Sequence, residues 1–221
     1  MENCGKAQSD EDSNLKIVAL GDSLTVGEDE FDLDSNEHST FPDHLETLAQ
    51  RYLNHGRSEM NVKVMNRGVC GDLTSGMLER FSANVVVEGA DYVIILGGTN
   101  DIGWRMESAT IAHNLSSMYD AALNEGIGPV ACAIPSILGF DELIPPRIQL
   151  NNMIRAEANR RRMPYVDLFT ATADPHTHRL SKEYSADGLH LNGRGYQRVG
   201  QCIFDTWLKE LLELNQRTLR Q

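Results

Sequence analysis

Short apolar runs alternate with amphipathic segments along almost the whole chain, and no other feature limits the fold as strongly. KIVAL (16–20) reads as a short buried strand, NVKVMN (61–66) alternates like a strand, DYVIILGG (91–98) is the clearest strand with five consecutive apolar residues, and GPVACAI (128–134) and MPYVDLF (163–169) read as two more. Between them stand helical patterns. PDHLETLAQRYL (42–53) sets Leu45, Leu48, Ala49, Tyr52 and Leu53 on one face, LTSGMLERF (73–81) is shorter, and SATIAHNLSSMYDAALNEG (108–126) opens on Ser108 as a cap and stops at glycine. RIQLNNMIRAEANRRR (147–162) and GRGYQRVGQCIFDTWLKELLEL (193–214) complete the set. Strand followed by helix, repeated in this way, predicts an α/β fold with one parallel sheet covered by helices on both faces. A single domain over residues 15–214 accounts for the pattern, with residues 1–14 a flexible N-terminal segment and 215–221 a C-terminal tail.

Charge narrows the partners. Thirty-two acidic against twenty basic residues give a net charge of −12, which repels phosphate backbones and anionic lipid alike. No nucleic-acid partner and no stable membrane association are therefore expected. No stretch approaches the ~20 consecutive apolar residues of a membrane span. The polar start MENCGKAQSDEDSN lacks a basic region followed by an apolar one, so the expected location is cytoplasmic. Cys4, Cys70, Cys132 and Cys202 form no CxxC pair and are expected as free thiols, with Cys132 and Cys202 in core packing. The oligomeric state, a homo-oligomer included, stays open.

In open parallel sheets, ligands bind beyond the carboxyl ends of the strands. That rule brings five polar stretches to one rim: Ser23 after the first strand, Gly71 and Asp72 after the second, Thr99-Asn100-Asp101 after the third, Pro135-Ser136 after the fourth, and YSADGLHLNGRG (184–195) after the fifth. A serine hydroxyl needs a base within reach to become a nucleophile. Of seven histidines, His38, His44, His55 and His113 lie in the acidic loop or in helices, and His176 and His178 lack a third ligand for a metal. His190 stands on the rim, and Asp187 three residues upstream can orient its ring. The amides of Ser23 and Gly71 and the side-chain amide of Asn100 are candidate donors to an oxyanion. No G-x-S-x-G is present, so the nucleophile elbow of ordinary α/β-hydrolases is absent.

Four ordered blocks, GDSLT (21–25), NRGVCGD (66–72), GGTND (97–101) and DGLHLN (187–192), resemble those of the SGNH hydrolases, also called the GDSL esterase/lipase family. The resemblance spans residues 15 to about 205. It implies a three-layer α/β/α sandwich with a five-stranded, flavodoxin-like strand order of 2-1-3-4-5. It also implies Ser23 as nucleophile and oxyanion donor, Gly71 and Asn100 as the other donors, His190 as base and Asp187 as its orienting acid. Asp22 would by analogy brace the nucleophile turn. The chain departs from many members in carrying Leu191, not proline, after the histidine, and in its acidic loop 28–40.

The expected activity is hydrolysis of a small-molecule ester through an acyl-enzyme, without cofactor or metal. No apolar lid insert interrupts the blocks, which favours short acyl chains over an interfacial lipase. A carbohydrate O-acetylesterase, a thioesterase or lysophospholipase, and, from another class, a non-catalytic acyl- or sugar-binding module are the alternatives. Trp104, Met106, Ile137, Leu138, Phe140 and Leu189 are candidate pocket residues. A calcium-loop reading of DLDSNEHSTFPD (32–43), with Asp32, Asp34, Asn36 and Asp43 as ligands, is disfavoured because Glu37 stands where that loop needs glycine.

Overall fold

The computed structural model describes residues 14–27, 40–56 and 58–218. Five strands, β1 (Asn14–Gly21), β2 (Asn61–Gly68), β3 (Tyr92–Leu96), β4 (Gly128–Cys132) and β5 (Tyr165–Val166), form a wholly parallel sheet in the order β2-β1-β3-β4-β5. This is the order the family resemblance implies. In the register, Gly21 lies beside Gly68 on one side and Leu96 on the other, so three strands end level and their loops open on one rim. Ile17 through Leu20 and Val93 through Leu96 are buried, as strands covered on both faces must be.

Nine α-helical segments surround the sheet among the described residues: α1 (Ser23–Val26), α2 (Phe41–His55), α3 (Thr74–Glu79), α4 (Thr99–Gly103), α5 (Ser108–Asn124), α6 (Ile144–Arg161), α7 (Leu168–Thr172), α8 (Gly193–Ile203) and α9 (Lys209–Thr218). Right-handed crossovers put α2 on one face and α3, α5 and α6 on the other, because only the first connection runs toward the β2 edge. The packing agrees: α2 lies on α8, while α5 touches both α3 and α6. No helix among the described residues is long and apolar enough to cross a membrane.

Several expected boundaries shift. The strand expected over 163–169 is only Tyr165–Val166, because Asp167 accepts the Thr170 amide at 3.0 Å and starts α7. Ser108 is not the cap of α5; Glu107 holds that position with no side-chain bond, and Ser108 is buried inside the first turn. Helix α6 begins three residues early, since prolines 145 and 146 fall in its first turn, where a missing N–H costs nothing. The closing helix, expected to end at 214, is interrupted by a π-turn at Phe204–Leu208 and runs on to Thr218. Asn14 belongs to β1, and the rest of the N-terminal segment lies outside the described residues.

The acidic loop, with Asp32, Asp34 and Asn36, also lies outside them, as do His38 and Cys4. Its end is described: Thr40 and Asp43 form a reciprocal capping box at the start of α2, with Thr40 Oγ1 donating to Asp43 Oδ2 at 2.6 Å. Cys132 is buried in the core, Cys202 is half-buried against it, and Cys70 is exposed.

Candidate active site

The site begins with two glycines. A Cβ on Gly21 would meet Thr25 Oγ1 at 2.1 Å and the Leu96 carbonyl at 2.5 Å, and one on Gly68 would meet the Val26 backbone nitrogen at 2.4 Å. Their missing side chains let α1 settle directly on the ends of β1 and β2. Asp22 caps this short helix, its Oδ1 accepting the Leu24 amide at 2.9 Å while its carbonyl accepts the amides of Thr25 and Val26. Asn66, part of the second block but assigned no role from sequence, holds α1 from β2: its Nδ2 donates to the Thr25 carbonyl at 2.7 Å. Ser23 is the first residue of α1, so its N–H has no intrahelical acceptor.

Ser23 Oγ lies 3.1 Å from His190 Nε2. His190 Nδ1 in turn lies 2.8 Å from Asp187 Oδ2, and Asp187 Oδ1 accepts the amides of Leu189 at 2.8 Å and His190 at 2.7 Å. The three residues come from opposite ends of the sequence and meet at the rim. Partial burial pushes the Asp187 carboxyl up, but the His190 ring and these two amides outweigh it and hold the group at about 2. Ionised, Asp187 accepts from Nδ1–H, which leaves Nε2 as the lone-pair nitrogen facing Ser23. The loop is anchored to its neighbour by Leu138, whose amide donates to the Gly188 carbonyl at 2.8 Å.

The other candidate donors sit on adjacent loops. Gly71 is exposed with φ +73°, a left-handed conformation in which a side chain is strained. Asn100 lies in the first turn of α4 and donates one Nδ2 proton to the Asp72 carbonyl at 2.9 Å, beside Gly71; its amide carries a second proton. Asp101, buried, accepts from the Thr74 hydroxyl at 2.6 Å and fixes α4 against α3.

Beneath the Ser23 turn, burial raises the Asp22 carboxyl to about 6, against the Leu24 hydrogen bond and the charge of Arg147. Arg147 is itself buried, its Nη1 donating to the Pro135 carbonyl at 3.3 Å, and burial lowers it to about 10. Nothing in the sequence separates Arg147 from the exposed arginines of the same helix.

The candidate pocket residues divide. Trp104 and Phe140 are 77% and 56% exposed, on segments leaving Asn100 and Leu138. Met106 and Leu138 are half-buried against the main core. Ile137 is buried in a small second cluster with Ile144 and Phe169, and Leu189 packs on it. Of the other histidines, His55, His113 and His176 are exposed, and His44 is half-buried, which lowers its pKa. Among the described residues no group of three or more His, Cys, Asp or Glu is arranged to hold a metal ion.

Comparison with known proteins bears on the fold and the family. The chain superimposes on a protein assigned to the lipolytic G-D-S-L family from Desulfitobacterium hafniense DCB-2, with 20% identity and a TM-score of 0.72 over 87% of this chain and 99% of that one. It superimposes on an acetylxylan esterase from Geobacillus stearothermophilus with 17% identity and a TM-score of 0.73, over 87% of this chain and 93% of that one. The lipase/acylhydrolase from Enterococcus faecalis is 30% identical, with a TM-score of 0.66 over 86% and 94% of the two chains. A search of curated proteins finds no match. The model of the GDSL-like lipase/acylhydrolase family matches residues 19–198. With that match spanning most of the chain, the protein belongs to the GDSL-like lipase/acylhydrolase family, the SGNH hydrolases.

Proposed function

We propose that this chain is a serine esterase that hydrolyses short-chain carboxylic esters, acetyl to hexanoyl, through an acyl-enzyme. The observation that carries the reading is the continuous hydrogen-bonded line from Ser23 Oγ through His190 to Asp187, at 3.1 and 2.8 Å. Ser23 Oγ attacks the acyl carbonyl carbon as His190 Nε2 takes its proton. The oxyanion is met by the amides of Ser23 and Gly71 and the Asn100 side chain. The bond to the alcohol oxygen breaks, and His190 returns the proton to that oxygen. Water then attacks the acyl carbon and gives a proton to His190, and Ser23 Oγ leaves with it. The catalytic mutants of the Geobacillus enzyme supply a parallel: they replace a serine, a histidine and an aspartate three positions before that histidine, the spacing of Asp187 and His190 here.

The exposed rings of Trp104 and Phe140 favour one narrower reading, a carbohydrate O-acetylesterase, since flat rings at a rim suit a sugar face. The experiment combines labelling and specificity. A fluorophosphonate should modify Ser23, located by peptide mapping, and p-nitrophenyl esters from acetyl to palmitoyl should be hydrolysed with a maximum at the short end. Acetylated xylo-oligosaccharides and acyl-CoA, run in parallel, separate the sugar and thioester alternatives. Labelling elsewhere, or no hydrolysis of any ester, defeats the proposal and favours a binding module.

A further inference from the structure

We propose that Arg80 is the positioning residue of the oxyanion hole, an assignment that rests on the esterase reading above. Arg80 follows α3, outside the four sequence blocks, and its side chain is 19% exposed. All three guanidinium nitrogens are used. Nε donates to Asp72 Oδ2 at 2.8 Å, Nη1 to the Arg67 carbonyl at 2.9 Å and to Asn84 Oδ1 at 3.0 Å, and Nη2 to the Gly21 carbonyl at 2.9 Å.

Each proposed oxyanion donor lies one or two steps from these acceptors. Gly21 ends β1 and stands two residues before Ser23. Asp72 follows Gly71, and its carbonyl receives the Asn100 side chain at 2.9 Å. One planar cation thus ties together the strand that delivers Ser23, the strand end before the Gly71 loop, and the residue that orients Asn100.

The Gly71 loop needs such a tie. Val69, Cys70 and Gly71 are exposed, and apart from its two chain neighbours no residue comes within 4 Å of where a Gly71 Cβ would sit, so packing does not hold that side of the loop. What holds it is hydrogen bonding: Val69 N to the Gly21 carbonyl at 3.0 Å, Asp72 N to the Val69 carbonyl at 3.2 Å, and Arg80 to Asp72 and Gly21. Lysine cannot reproduce this, because an ammonium is a point donor and lacks the planar fork. A donor displaced by an ångström loses most of its effect on the transition state and little of its effect on ground-state binding.

The test compares steady-state hydrolysis of p-nitrophenyl acetate by Arg80→Lys, Arg80→Ala, Asn100→Ala and the double variant Arg80→Ala/Asn100→Ala, with Ser23→Ala as reference. Both Arg80 variants should lose about 10²-fold in kcat with KM changed less than about twofold. Millimolar guanidinium should recover part of the kcat of Arg80→Ala. In the double variant the losses should fall well short of multiplying, because both substitutions disable one hole. Arg80→Lys keeps the charge and the stem, so it remains readable if Arg80→Ala does not fold. Wild-type kcat in Arg80→Lys, or losses that multiply with Asn100→Ala without guanidinium rescue, would overturn the assignment while an inactive Ser23→Ala and a slowed Asn100→Ala keep the esterase reading. An unaffected Asn100→Ala would remove Asn100 from the hole and overturn the Arg80 assignment alone, whereas turnover surviving in Ser23→Ala would overturn both.

Discussion

Two carboxylates flank the proposed nucleophile, and their surroundings shift them in opposite directions. Asp187 is half-exposed, accepts three hydrogen bonds and is held at about 2. Asp22 is buried, accepts one side-chain hydrogen bond, leaves Oδ2 without a partner, and is raised to about 6. Burial raises Asp22 with a single donor to oppose it, whereas three donors outweigh the partial burial of Asp187. Asp187 is built to stay charged and to orient a ring; Asp22 is built to fold a turn.

Breaking the Asp187 side should have the largest effect. Asp187→Asn keeps the shape but presents an amide to His190 Nδ1, which favours the wrong tautomer, and kcat for p-nitrophenyl acetate should fall by about 10³–10⁴-fold. A loss under tenfold would remove Asp187 from the line. Gly68→Ala probes the Asp22 side through packing. Its Cβ would lie 2.4 Å from the Val26 nitrogen and 2.9 Å from the Asp22 carbonyl, both backbone. Urea unfolding should show a loss of about 1–3 kcal/mol, with reduced kcat in the folded fraction as α1 is pushed outward.

Asp22→Asn should have the smallest effect on rate, within about tenfold, because asparagine caps a helix about as well as aspartate. Its signature is in stability against pH. A carboxyl raised from 3.8 to about 6 in the folded protein binds more protons there than in the unfolded chain. Its contribution is therefore complete below its ordinary value and lost as pH rises through about 6, and Asp22→Asn should flatten the thermal-melting profile across that window. Asp187 has the opposite sign: its contribution is present above 3.8 and lost as pH falls toward about 2, so Asp187→Asn should alter only the acid end.

The same division separates what could be read in the sequence from what could not. Long, strongly patterned elements were legible: the apolar runs of β1 to β4, and helices α2, α5 and α6, whose patterns follow burial. The short helices α1, α4 and α7 were not, because four or five residues carry no period, and α7 took the place of a strand end once Asp167 capped it. Ser23, Asp187 and His190 were legible as residue types placed on a rim. Their supports were not. Arg80 finds its acceptors in backbone carbonyls of Arg67 and Gly21, and nothing in the sequence identifies a carbonyl as an acceptor. Arg147 likewise lies on a helix with several arginines, and only the packing distinguishes it by burial.

The central claim is that Ser23 is the attacking group, and Ser23→Ala tests it most directly. The variant should keep the circular dichroism and melting temperature of the parent, lose fluorophosphonate labelling, and reduce p-nitrophenyl acetate hydrolysis to the buffer rate. Hydrolysis at an undiminished rate in the folded variant would contradict the account.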